Sequence, residues 1–270
     1  IARLTESFSH MAGEVARAQR TQRDFLADVS HDLRTPLTSI RGFSQAILEG
    51  AVTDDAGYRR AAHIIHNEAD RMARLVEDLL ELARLEAGQL DLQPQPVAAL
   101  DLLKTEILQI EARAGDTGQE IVRSLPDELA PVAADAERLR QVFINLLDNA
   151  VKYAPPGTPI RVTAGTVSSA GQHPDPLPVS YGASHEVGKW IHVEIANQGD
   201  PIPSDELERV FDRFYRADAS RRQSEGSGLG LAIVRETILA HGGAVAAGSD
   251  EEAGTRFRVW LPVTGDARSR

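Results

Sequence analysis

The sequence predicts a two-part molecule: an all-α antiparallel helical hairpin that forms a dimeric four-helix bundle, followed by an α/β sandwich. Three observations carry that expectation. Apolar residues recur at steps of three or four through the first third of the chain; a short proline-marked stretch then breaks the pattern; beyond it helical and strand-like segments alternate. At 270 residues the chain also exceeds the usual size of one domain.

Residues 1–49 read as one long helix, with Phe25, Val29, Leu33, Leu37, Ile40, Phe43 and Ile47 on a single stripe. The segment from Gly50 to Asp55 is turn chemistry, and a second helix follows with Ile65, Met72, Leu75, Leu79 and Leu82 aligned until Gly88. Two antiparallel helices leave such stripes half covered, so a homodimeric bundle is expected. The alternative is that the stripe packs on the chain's other domain. Leu90–Pro96 reads as a connector, which gives 20–89 as the hairpin domain and 97–265 as the sandwich.

In the second domain a helix is expected over Val97–Arg113, with strands at Glu120–Ser124 and Val132–Ala134. A strong amphipathic helix spans Ala136–Tyr153, opened by Asp135 as its N-cap. Strands at Ile160–Thr166 and Trp190–Ala196 flank the segment 167–189, which reads as a mobile surface loop. It holds His173 and His185, but no carboxylate at ligand spacing, so no metal site is assigned there. A last helix begins near Gly228, and a hairpin runs from Ala244 to Val263 around Glu251–Gly254.

Bulk properties exclude several classes. With 42% hydrophobic and 26% charged residues the chain is an ordinary globular one, and a net charge of −11 argues against nucleic acid as a partner. There are no cysteines, hence no disulfides and no thiolate metal sites. No stretch approaches the roughly 20 apolar residues of a membrane helix, and no signal peptide opens the chain, so as given it is expected to be soluble. It begins at Ile1 inside a helical pattern, as a fragment of something longer would.

Chemistry-bearing residues fall in five places. The first is Ser30-His31-Asp32-Leu33-Arg34-Thr35-Pro36-Leu37. His31 lies between apolar Val29 and Leu33, so it points outward, and Thr35 lies one turn on. An imidazole neutral near pH 7 can attack phosphorus through one nitrogen while Asp32 accepts the proton of the other. Pro36 removes a backbone donor and loosens the helix beside the site. Taken alone, these residues read more often as a solvated surface histidine beside a chance carboxylate.

The second is Asn145-Leu-Leu-Asp-Asn149-Ala-Val-Lys152-Tyr153. Asn145 and Asn149 are i and i+4, which puts two hard amide oxygens on one face for Mg²⁺, with Lys152 near for phosphate. The third is Asn197-Gln-Gly199-Asp-Pro201-Ile202, where Gly199 permits a close turn and Asn197 offers hydrogen bonds to a base edge. The fourth is Phe211-Asp-Arg213-Phe214-Tyr-Arg216, and the fifth Gly226-Ser-Gly228-Leu229-Gly230-Leu, a glycine run at a helix N-terminus suited to phosphate. Residues 217–225 between them read as a lid, with Arg221 and Arg222 as solvated lid charges.

In this order and spacing, HDLRTPL, NLLDNAVKY, NQGDPIP, FDRFYR and GSGLGL resemble the motifs of bacterial two-component sensor histidine kinases, over residues 10 to 263. The resemblance implies a dimerisation and phosphoacceptor domain, then a Bergerat-type ATP-binding domain of the gyrase/Hsp90/kinase/MutL kind. It implies ATP-dependent phosphorylation of His31, with Asp32 as base, and passage of the phosphoryl group to an Asp of a response regulator receiver domain. Thr35 resembles the position that helps dephosphorylate that regulator. The ATP and Mg²⁺ contacts implied are Asn145 and Asn149 (also the metal ligands), Lys152, Tyr153, Asn197, Gly199, Ile202, Arg213, Phe214, Gly226, Gly228, Leu229 and Gly230. Residues 1–19 resemble the end of a HAMP linker, which implies the cytoplasmic portion of a bacterial inner or plasma membrane protein.

Three positions depart from the family pattern. Asn197 stands where Asp is usual, Pro201 where Gly is usual, and Asp32 where Glu is common. Asn keeps an acceptor for an adenine amino group but loses the charge, which implies weaker nucleotide binding. Two rivals follow: a pseudokinase that binds nucleotide and signals by conformation, and an ATP hydrolase of the same superfamily. The second is opposed by Asn145, which stands where such hydrolases carry a Glu base.

Overall fold

The computed structural model describes residues 2–87, 92–116, 118–169, 177–182, 187–216 and 227–264, side chains of residues 2–22, 24, 86, 116, 169 and 187 excepted. The expectations for His173, His185, Arg221, Arg222 and Gly226 fall outside the described residues. The chain forms two compact units, Ile1–Leu79 and Leu80–Arg270.

The first unit holds α1 (Ala2–Leu48) and most of α2 (Asp55–Glu86). Gly50 at φ +70° ends α1: the Ala51 N–H reaches the Ala46 carbonyl at 2.9 Å and the Gly50 N–H reaches that of Ile47 at 3.2 Å. This crossed pair is a Schellman motif, and it needs a left-handed residue. Asp54 then caps α2, its carboxylate accepting from the Gly57 N–H and its carbonyl from Tyr58 at 3.0 Å. Pro36 sits inside α1 without interrupting it. Because proline has no N–H, the carbonyl of Asp32 one turn earlier receives no helical hydrogen bond. Ala61 and Leu75 are buried, yet Leu26, Leu37 and Leu48 stay 56%, 46% and 81% exposed. One hairpin does not cover its own apolar residues.

The second unit is built on a six-stranded sheet of β2 (Glu120–Ser124), β4 (Pro159–Ser169), β5 (Val179–Gly182), β6 (Val187–Asn197), β7 (Ala244–Asp250) and β8 (Gly254–Pro262). The order is β2-β4-β6-β8-β7-β5; β2 and β4 run parallel, and the other pairs antiparallel. Strand alternation divides the residues of β6: Ile191, Val193 and Ile195 enter the main core, and Trp190 joins a smaller cluster with Leu177, Ala244, Ala246 and Trp260. The main core also takes Leu103 and Ile107 from α3 (Ala99–Asp116), Phe143 and Leu146 from α4 (Ala136–Tyr153), and Val234 and Ile238 from α6 (Gly230–Ala240). Helices therefore layer one face of a mixed sheet, as expected.

Four local features differ from expectation. The end of the connector is a strand: β1 (Gln95–Val97) pairs antiparallel with β3 (Val132–Ala134), and a two-stranded ribbon tolerates Pro96 because its missing N–H can face away from the partner. The segment 167–189 is not one loop, since β4 runs to Ser169, β6 starts at Val187, and β5 lies between them on the edge of β7. Pro178 precedes β5 and Gly182 ends it, so the strand reads locally as turn composition. A short helix, α5 (Ser204–Leu207), was also unforeseen. α3 runs past Arg113 because its end is set by another Schellman motif. There Gly118 is at φ +70°, and the Gln119 N–H meets the Ala114 carbonyl at 3.0 Å.

Candidate functional site

The site in the second unit is organised by α4. Its buried stripe is Leu139, Val142, Phe143, Leu146, Leu147 and Ala150, which leaves Asn145, Asn149 and Lys152 on the less buried side. Asp135 fixes its start, with Oδ1 accepting from the Glu137 N–H at 3.1 Å and the Arg138 N–H at 3.3 Å, and Oδ2 from the Gln93 N–H at 3.4 Å. Burial pushes the Asp135 carboxyl upward, but these three backbone donors and the Arg138 charge outweigh it and hold the group below the usual range.

Asn145 is engaged at both ends of its amide: Oδ1 accepts from Gln141 Nε2 at 3.1 Å, which leaves one lone pair, and Nδ2 donates to the Gly230 carbonyl at 3.3 Å. It thereby ties α4 to the first residue of α6. Asn149 is half-buried and makes no side-chain hydrogen bond to any described residue, so both its lone pairs are available. Lys152 is exposed, with Nζ 4.8 Å from the centroid of the Tyr153 ring.

At the far end of α4, Asn197 donates from Nδ2 to the Ala150 carbonyl at 3.4 Å and accepts the Gly199 N–H on Oδ1 at 3.0 Å. A Cβ on Gly199 would stand 2.5 Å from the Tyr153 carbonyl oxygen, so the backbones meet where only glycine fits. Sequence reasoning missed the neighbours of this turn. Thr255 lies opposite Asn197 in the β6–β8 register and is buried; it bonds Ser249 Oγ at 2.7 Å, which in turn accepts the Ile202 N–H at 3.0 Å. A Thr directly after the Gly254 hairpin turn was the available signal.

The aromatic segment and the glycine run also meet. Phe214 takes a left-handed φ of 56°, and Gly228, at φ +68°, packs so closely that a Cβ there would lie 2.8 Å from Phe214 Cα. The start of α6 has no side-chain cap, although Ser227 Oγ accepts the buried Leu229 N–H at 3.3 Å. Among the described residues no side chain caps the N–H groups that open α6, the end of a helix that favours an anion. Burial pushes the Arg213 guanidinium down, Glu236 opposes this and Arg235 adds to it. The structure therefore gathers Asn145, Phe214, Gly228 and Gly230 at one end of the α4 face, and Tyr153, Asn197, Gly199 and Ile202 at the other.

His31, in the first unit, is 78% exposed, with Nδ1 3.3 Å from Asp32 Oδ1. A proton on Nδ1 shared with that carboxylate leaves the Nε2 lone pair directed to solvent. Thr35 Oγ1 donates back to the His31 carbonyl at 3.4 Å.

Residues 21–88 match the family model described as the His Kinase A (phospho-acceptor) domain, and residues 134–265 that described as histidine kinase-, DNA gyrase B- and HSP90-like ATPase. The chain belongs to the sensor histidine kinases. It is 33% identical over 250 residues to sensor histidine kinase WalK of Bacillus subtilis, covering 92% of this chain and 38% of WalK. The full-length ShkA structure solved with AMPPNP superposes at a TM-score of 0.62 with 28% identity, over 92% of this chain and 47% of that one. The structure of histidine kinase ThkA with response regulator TrrA shares the fold, with a TM-score of 0.66, 24% identity, and coverage of 89% and 61%. The chain spans about half or less of the length of the curated kinases it matches. No helix among the described residues is long and apolar enough to cross a membrane.

Proposed function

We propose that this chain is the kinase region of a membrane-anchored, homodimeric sensor histidine kinase, which phosphorylates His31 from ATP and passes the group to an aspartate of a response regulator. The observation that carries the reading is the pairing of an exposed His31, its Nδ1 held by Asp32, with an ATPase-type domain downstream in the same chain. In the proposed division, residues 1–19 end a signal-relay linker, 20–89 carry the acceptor, 90–96 connect, and 97–265 bind ATP.

His31 Nε2 attacks the γ-phosphorus, the N–P bond forms, the bond to the β,γ-bridging oxygen breaks, and ADP leaves. Asp32 takes up the Nδ1 proton as positive charge develops on the ring. In the ATP site, Asn197 Oδ1 accepts from the adenine amino group beside Gly199 and Ile202. Lys152, Tyr153, Arg213, Phe214, Leu229 and the glycines Gly226, Gly228 and Gly230 enclose the sugar and phosphates. Mg²⁺ fits the donor set: Asn149 offers a free amide oxygen and Asn145 a second lone pair, both neutral hard donors that leave room for water and phosphate oxygens. When bound, that ion offsets the charge of the phosphates. Among the described residues no cluster of three His, Asp or Glu offers an alternative cage. Thr35 orients water for dephosphorylating the regulator, and the exposed Leu26, Leu37 and Leu48 support the dimer.

The test is incubation with γ-labelled ATP and Mg²⁺. The expected product is acid-labile, base-stable label on the chain, reduced on the order of a hundredfold in Asn149→Ala through loss of charge stabilisation at the phosphates. Measurable ATP binding without any label would reject phosphoryl transfer in favour of a nucleotide-binding signalling module.

A further inference from the structure

The last turn of any helix exposes carbonyls that no helical N–H reaches. In α4 those carbonyls lie where the candidate nucleotide residues Lys152, Tyr153, Asn197 and Gly199 converge. Ala150 still accepts the last helical bond, from the Ala154 N–H at 3.0 Å, and is also met by Asn197. Further on, the partner comes from elsewhere in the chain. Val151 and Ala154 are both met by a single side chain, Gln119, whose Nε2 donates to the first at 3.0 Å and to the second at 2.7 Å. Two carbonyl acceptors admit only the NH₂ end of the amide, so its orientation is fixed by chemistry.

Gln119 is not there as a surface polar residue. It is 7% exposed, the first residue after the Schellman turn at Gly118, and the residue from which β2 departs along the parallel edge of the sheet. Its backbone is held by the Ala114 carbonyl and its side chain by α4, so it joins the end of α3 to the end of α4. Between the two carbonyls it binds lie Lys152 and Tyr153, and the Tyr153 carbonyl is the atom on which Gly199 closes.

We propose that Gln119 is a positioning residue for the nucleotide: its amide caps the final turn of α4 and so sets where Tyr153 meets the Asn197–Gly199 turn that receives the base. The inference rests on the reading of that turn and of α4 as the ATP site. Gln119 touches no substrate. Its effect falls on ground-state nucleotide binding, because Lys152, Tyr153 and Asn197 engage ATP before and during transfer alike, and uniform binding of this kind moves KM without moving kcat.

The experiment compares the unmutated 270-residue chain with Gln119→Met, which keeps length and loses the donor, and Gln119→Glu, which turns acceptors toward two carbonyls. ATP affinity is followed with a fluorescent analogue, autophosphorylation against ATP concentration, and melting without nucleotide. Gln119→Met is expected to weaken binding and raise KM about five- to tenfold, at unchanged kcat at saturating ATP, as loss of a buried amide's bonds predicts. Gln119→Glu should be weaker still. A lowered melting temperature with unchanged affinity and KM would reduce Gln119 to a structural cap and overturn the inference. A fall in kcat at unchanged KM would overturn it too. If the unmutated chain binds no nucleotide, the site reading fails and the inference falls with it; binding by the unmutated chain with equal binding by both variants rejects Gln119 alone.

Discussion

Asp135 gathers three backbone N–H groups, from Gln93, Glu137 and Arg138, on one carboxylate. Its folded pKa is depressed, so the stability it contributes is fully present above the unfolded carboxylate value of about 3.9 and is lost as pH falls through the lower folded value. Asp135→Ala is expected to cost about 1 kcal/mol at neutral pH, with the gap to the unmutated chain narrowing below pH 4. Denaturant unfolding at pH 7 and at pH 3 checks this; a gap that widens in acid would contradict it. The same scale shows how a residue type can be legible while its partners are not. The spacing of Asn145 and Asn149 makes them neighbours on one helix face, and both lie on α4. Only the structure places the Gly230 carbonyl, 85 residues away, against Asn145 and so separates an engaged amide from a free one. Gln119 escaped notice for the same reason, since its acceptors lie 32 and 35 residues further on.

Among the elements, α4, β2 and β3 follow the bounds expected from the sequence, because each carries its own signal: an amphipathic stripe behind an Asp cap, an Ile-Val pair in β2, or turn residues on both sides of β3. β1 and β5 do not. Like β3 they are only three or four residues long and depend on a partner far along the chain, but β3 is bracketed by Pro131 and the Asp135 cap, whereas these two carry break residues inside them. β1 needs β3 and β5 needs β7, while Pro96 and Gly182 read locally as breaks. Inside β5, Tyr181 holds its strand in place by donating its hydroxyl to the Glu208 carbonyl at 2.9 Å and meeting Phe211 edge-on at 5.7 Å. β5, which lies in a segment that reads locally as loop, is therefore anchored to the base of the aromatic segment. On α1, the proline that weakens the helical ladder beside His31 leaves the helix unbroken and costs it one carbonyl partner.

For the whole molecule, two compact units carry the two halves of the proposed chemistry, an acceptor histidine and an ATPase-type domain. The first unit does not close its own apolar surface, and a second copy of the hairpin is the proposed cover. The double variant Leu26→Glu, Leu37→Glu should shift the chain from dimer to monomer in sedimentation equilibrium; a monomeric unmutated chain at the same concentration would contradict the bundle. The family pattern departs at Asn197, yet the amide there keeps an oxygen toward the turn and spends its NH₂ on the end of α4, which a carboxylate could not do. The central claim, that ATP phosphorylates His31, is tested most directly by labelling His31→Gln with γ-labelled ATP and Mg²⁺ beside the unmutated chain. Acid-labile label in the unmutated chain and none in His31→Gln is the predicted result; equal label in both would contradict it.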